Sequence, residues 1–267
     1  MLRTRIITAA VLIALLLAVV LYLPAWATAV VLTAVVLAGA WEWSAFLRVP
    51  TLGLRLGYVA LVAALLALTW RATAAPLGRT LVLAAAVAWW VCALGWVIFA
   101  PRRAALWSAA AAGALALVPA WVALVWLRLD ASRGAEWLLF ALILVWVADV
   151  GAYFAGRRFG RVRLAPEVSP GKTWEGALGG AAVSALVAIA GGFWFGIRLE
   201  VFVPLCLAAV GFSIVGDLTE SLLKRFAGLK DSGTLFPGHG GVMDRIDSIT
   251  GAAPVLVFGL IALGVVT

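Results

Sequence analysis

The sequence predicts an all-α, polytopic membrane protein, and three observations carry that prediction. Apolar residues make up 66% of the 267-residue chain, against roughly 45–50% in soluble domains. Several apolar runs exceed the roughly 20 residues that a helix needs to cross a bilayer. Charged residues are only 12%, and they gather between or at the ends of those runs. We read 1–267 as a single integral membrane domain. Hydrophobic helices fill 1–130, and the helices and polar loops that carry the chemistry fill 131–267.

Nine spans follow in order. Arg3 and Arg5 precede an 18-residue apolar run, 6–23, and then Ala25-Trp26-Ala27. This imitates a signal peptide with its A-x-A site, but the run exceeds a usual h-region and is read as an uncleaved first helix. The others are 25–47, 56–70, 81–99, 106–127, 137–156, 174–197, 201–223 and 249–266, the third being short. Cys92 and Cys206 lie inside apolar spans far apart in sequence, so they form neither a disulfide framework nor a zinc site. They read as packed small hydrophobes.

Arginine and lysine orient the bundle. With the N-terminus cytoplasmic, Arg71, Arg79, Arg128, Arg133 and Arg198 fall on the far side, and the other fifteen of the 20 cations fall inside. That is the asymmetry of the positive-inside rule. Both C-terminal polar loops, 157–173 and 224–247, then face the cytoplasm, where nucleotides are. The net charge of +8 is explained by topology and by anionic ligands or lipid headgroups. Membrane lipids are expected partners, and nucleic acid is not.

The chemistry concentrates in 221–247. Lys224, Arg225, Lys230 and Arg245 share this stretch with Asp231, Asp244, Asp247 and the only histidine, His239. Gly233, Pro237, Gly238, Gly240 and Gly241 make its middle a loop. Carboxylates for a metal, cations for phosphate charge and glycines for close backbone approach are what a polyphosphate with its divalent cation requires. A merely solvated loop accounts for the cations but not for three interspersed Asp.

Acids within spans are costly and call for a reason. Glu42, between Trp41 and Trp43 and within a turn or two of its helix end, reads as structural and reaching the interface. Asp149 and Asp217 sit eight and seven residues before Arg157 and Lys224, roughly 11–12 Å below those cations at helical rise. Matching depth points to one polar cavity open to the cytoplasm. Asp217, Glu220, Ser221 and Lys224 share a helix face at i, i+3, i+4 and i+7, and Asp244, Asp247 and Ser248 repeat the start of that pattern. Helix capping explains Asp244 alone but not mid-span Asp217, so the pair is read as a metal site. In the other loop, Gly171-Lys172-Thr173 resembles the end of a Walker A loop. However, Pro166 stands where the first glycine belongs and no strand is expected before it, so a P-loop is rejected. Thr173 as N-cap beside Lys172 leaves a local anion site or simply a capped helix start.

The stretch 221–247 resembles the phosphatidate cytidylyltransferases (CDP-diacylglycerol synthases). The matching residues are Ser221, Lys224-Arg225, Lys230-Asp231, Pro237-Gly238-His239-Gly240-Gly241 and Asp244-Arg245-x-Asp247. Asp149-x-Gly-Ala-Tyr-Phe-x-Gly156 and Ser169-Pro-x-Lys172-Thr-Trp-Glu-Gly176 are also similar to the family. The resemblance implies transfer of CMP from CTP to phosphatidate, with Mg²⁺ held by Asp217 and Asp244 and a second cation such as K⁺ sharing the site. Asp217, Asp244, Lys224, Arg225, Lys230, Asp231, His239, Arg245 and Asp247 become the catalytic candidates. Ser169, Lys172, Thr173, Ser221, Gly240 and Gly241 become the nucleotide-binding candidates. His239 is weighed as orienting a phosphate or neighbouring backbone rather than acting as a base. The expected setting is a bacterial inner membrane, and by analogy a homodimer. The rival reading is a CTP-dependent kinase of a membrane lipid alcohol. A transporter is disfavoured because the acids gather toward one face.

Overall fold

The computed structural model describes residues 2–48, 51–130, 132–233 and 240–266. Its order is α1 (Leu2–Tyr22), α2 (Ala25–Phe46), α3 (Leu52–Ala72), α4 (Pro76–Phe99), α5 (Leu106–Asp130), α6 (Gly134–Phe159), β1 (Arg163–Ala165), β2 (Ser169–Thr173), α7 (Trp174–Phe195), α8 (Leu199–Ala227) and α9 (Met243–Ala262). Eight helices, α2 to α9, are long and apolar enough to cross a membrane among the described residues. The protein is an all-α polytopic membrane protein, with α1 as a further apolar helix at the start of the bundle.

Two boundaries differ from expectation, and one element is new. The third span is not short. Gly53, Arg55 and Gly57 dilute its apolar run, yet Thr51 caps a helix that starts at Leu52. Arg55 is accommodated by folding back onto Ser44 Oγ at 2.9 Å and over the Trp41 ring. The last helix starts at Met243, ahead of the apolar span at 249, so Asp244 and Asp247 lie in its first turns, as their spacing predicts. A two-stranded antiparallel hairpin, not foreseen, pairs Arg163 with Thr173 and Ala165 with Ser169. Pro166, Pro170 and Gly171 read as loop residues, but both strands of a two-stranded sheet are edges, where proline is tolerated.

The core sits where α5 runs through the bundle, packed against α2, α3, α4, α6 and α9. In the C-terminal half, α6 lies on α7, α7 on α8, and α8 on α9. Small residues permit the last crossing. A Cβ on Gly216 would stand 2.5 Å from the Asp247 carbonyl, and one on Gly251 would overlap the Phe212 carbonyl. This crossing brings the Asp217 turn of α8 beside the first turns of α9.

Gly216→Val is therefore expected to cost roughly 1–3 kcal/mol or more by overpacking, read as a lower melting temperature in detergent. Gly95→Ala, with open space around the glycine, should leave the melting temperature unchanged.

Candidate active site

Lys224 joins the two site helices. Its Nζ donates to Glu220 Oε2 at 2.8 Å, one turn back on α8, and to Asp244 Oδ1 at 2.7 Å on α9. Glu220 is 1% exposed and the Lys224 side chain 12%, so the ammonium and two carboxylates are withdrawn from water together. Glu220 Oε1 is buried and takes no hydrogen bond among the described residues.

Asp244 is held on its other oxygen as well. Oδ2 accepts from Gly241 N–H at 2.8 Å and Ser232 N–H at 3.1 Å, and Ser232 Oγ lies 2.9 Å away. Gly240 makes the turn with φ of +77°, a conformation that glycine adopts without steric cost. The N–H of Gly241 is thus bonded to Asp244.

Asp217 faces the hairpin. It forms an ion pair with Lys172 of β2 and accepts from Ser221 Oγ at 3.3 Å. The hairpin is fixed at both ends. Thr173 caps α7 by accepting from Gly176 N–H at 3.1 Å. Glu175 accepts from Arg161 N–H at 3.1 Å and Val162 N–H at 3.2 Å. Gly171-Lys172-Thr173 therefore lies on a strand, contrary to the expectation that none precedes α7. The strand belongs to an antiparallel hairpin, so the rejection of a P-loop stands on topology.

The remaining acids close the group. Asp247 accepts from Ser248 N–H at 2.7 Å and stands within electrostatic reach of Asp217 and Glu220. Ser248 Oγ lies 3.5 Å from Asp149 Oδ1, and Asp149 senses Asp217, Lys172 and Arg245. The structure thus gathers Asp149, Lys172, Asp217, Ser221, Lys224, Asp244 and Asp247 around one crossing. Arg225, Lys230 and Asp231 are exposed at its rim, and Ser169 sits at the start of β2. His239, with Pro237 and Gly238, lies outside the described residues.

Sequence reasoning missed two participants. Glu42 does not extend to solvent. It is 7% exposed, and its carboxylate accepts from Val242 N–H at 3.0 Å, Met243 N–H at 2.8 Å and Ser232 Oγ at 2.9 Å. The only signal was an acid inside an apolar helix. Ser232, which touches both Glu42 and Asp244, gave none.

Among the described residues no three His, Cys, Asp or Glu side chains form a ready metal cage. Each carboxylate of the expected pair instead faces an ammonium. Two acid–ammonium pairs, Lys172 with Asp217 and Lys224 with Asp244, thus sit at the crossing.

Residues 3–262 match the sequence profile of the cytidylyltransferase family. The chain is 40% identical over 279 residues to the phosphatidate cytidylyltransferase of Haemophilus influenzae, covering 95% of this chain and 96% of that protein. It is 41% identical over 272 residues to that of Pseudomonas aeruginosa, covering 99% and 98%. A third relative of the same name, from Brucella suis, is 46% identical over 144 residues, 51% of each chain.

Lys224→Met should strand two carboxylates in the bundle and destabilise the protein by about 3–5 kcal/mol. Adding Glu220→Gln should recover part of that loss. Denaturation of both variants in detergent checks the pair, and equal stability of Lys224→Met and wild type would refute it.

Proposed function

The chain belongs to the cytidylyltransferase family, and on that premise we propose that it transfers CMP from CTP to phosphatidate. The products are CDP-diacylglycerol and pyrophosphate. The observation that carries this reading is the near-complete match to proteins named for that reaction, in a chain whose cations and carboxylates meet at one helix crossing.

The acceptor phosphate monoester is already anionic near neutral pH, so no strong base is needed. Its oxygen attacks the α-phosphorus of CTP, a new P–O bond forms, and the bond to the bridging oxygen breaks to release pyrophosphate. The task of the chain is to bring two polyanions together, by positioning and electrostatic stabilisation. Lys172 and Lys224 exchange carboxylate partners for phosphate oxygens. Arg225, Lys230 and Arg245 cover further phosphate charge, and Thr173, which caps α7 beside Lys172, fixes the end of that strand. Ser221 holds the Asp217 carboxylate.

Asp217 and Asp244 suit Mg²⁺ by donor chemistry. Mg²⁺ favours hard oxygens and is commonly held by one or two carboxylates together with waters and substrate phosphates. Further carboxylates stand beside each of the two aspartates, Asp149 and Asp247 by Asp217 and Glu220 by Asp244. When bound, Mg²⁺ supplies neutralisation of charge on the departing pyrophosphate. A second cation such as K⁺ belongs to the same reading. The site faces the cytoplasm of a bacterial inner membrane, as the cation asymmetry supports.

Purified protein with phosphatidate, CTP and Mg²⁺ is expected to yield CDP-diacylglycerol and pyrophosphate, with turnover lost in EDTA. Asp217→Asn and Asp244→Asn should insert normally and turn over at least about a hundred-fold more slowly. Full activity in either variant would sink the metal assignment, and release of CDP on a lipid alcohol would replace the reaction. For orientation, Arg163→Cys should react with an impermeant maleimide only from the cytoplasmic side, and Arg198→Cys only from the other. The reverse pattern would invert the topology.

A further inference from the structure

Glu42 lies about two hundred residues away in sequence from the groups it binds, on a helix that contributes none of the residues so far placed at the site. Its own placement is rigid. Trp43 beside it is buried and donates to the Ala109 carbonyl at 2.9 Å, and Trp41 is covered by Arg55. At the other end, α9 begins at Val242 without a side-chain cap of its own. The first N–H groups of a helix lack intrahelical partners and favour a negative charge. Glu42 meets both needs from α2, one oxygen on Val242 N–H and the other on Met243 N–H.

The same carboxylate reaches Asp244 through one atom. Ser232 Oγ lies 2.9 Å from Glu42 Oε2 and 2.9 Å from Asp244 Oδ2, and it accepts from the Asp244 N–H at 3.3 Å. The hydroxyl has a single proton, so both carboxylates share it. The glycines on either side also answer to Glu42. A Cβ on Gly233 would overlap Glu42 Oε1, and one on Gly241 would overlap Glu42 Oε2 and Ser232 Oγ. Both chain segments that flank the glycine-rich loop therefore close down on this one side chain.

We propose that Glu42 is a positioning residue for the transfer reaction: it seats the first turn of α9 and, through Ser232, sets the Asp244 carboxylate that meets the substrate's counter-ion. The inference rests on the cytidylyl-transfer reading for its kinetic consequences, but not for its geometry.

Glu42→Gln and Ser232→Ala, purified in detergent, test it by two readouts. The first is hydrogen exchange without substrate. In Glu42→Gln, peptides covering the start of α9 should exchange faster while peptides of α5 remain protected. The second is the Mg²⁺ concentration for half-maximal turnover with CTP and phosphatidate. It should rise about ten-fold or more, the usual effect of losing an outer partner of a ligating carboxylate, with a smaller fall in kcat at saturating Mg²⁺. Unchanged exchange and unchanged half-saturation would overturn the proposal. So would a fall in kcat alone in proportion to the folded fraction. Should Glu42→Gln fail to fold, Ser232→Ala decides: it keeps the Glu42 bonds to α9, and an unchanged Mg²⁺ half-saturation would overturn the link to Asp244. Absence of wild-type turnover would count against the substrate reading alone, since the exchange result needs no substrate.

Discussion

A carboxylate that is 1% exposed inside a helical bundle keeps its charge only where a cation meets it, and here Lys224 meets Glu220 and Asp244 at once. Much of the surrounding structure follows from that requirement. A single ammonium can serve acids on two helices only if the helices approach closely, and Gly216 and Gly251 give α8 and α9 that approach. Gly228, with φ of +75°, then ends α8 just beyond the lysine. Burying an ion pair gains little stability over an apolar substitute, whereas breaking one is expensive. The pair therefore makes better sense as part of a device that needs its charges than as a source of stability.

On the cytidylyl-transfer reading, that device works by exchange. Lys172 and Lys224 each hold an acid of the site. On the proposed metal assignment, a nucleotide carrying its divalent cation would offer each side a new partner: phosphate oxygens for the ammoniums and a metal for the carboxylates. Charges are re-paired rather than exposed, so the polar cluster does not have to be desolvated afresh with each substrate. The hairpin contributes to this balance because it delivers Lys172 while its two termini are held at the start of α7 by Thr173 and Glu175.

The helices were legible in the sequence because a bilayer demands long apolar runs, and soluble folds rarely contain runs of that length. Asp217, Lys224 and Asp244 were legible because acids in such runs are costly and helical spacing aligned them. Other features were hidden for definite reasons. Arg55 masked the start of α3, since a local count of apolar residues does not register that Trp41 and Ser44 take up the charge. The hairpin was masked by its prolines, which argue against central strands but not against edges. The Lys172–Asp217 and Glu42–Met243 contacts are tertiary, and no periodicity within one segment reports them.

The glycines show how a correct motif can rest on an incomplete reason. Gly240 and Gly241 suggest a backbone bared for phosphate, yet the space beside Gly241 is filled by the Glu42 carboxylate and its N–H is spent on Asp244. Gly240 is required by its left-handed φ and by the Asp244 oxygen 2.5 Å from where a Cβ would sit. These two glycines let protein carboxylates come close to the chain. The N-terminal helices, which look like hydrophobic filler, thereby acquire a specific task. Through Glu42 they hold the segment on which the acid of α9 is presented, and the two halves of the chain work as one site.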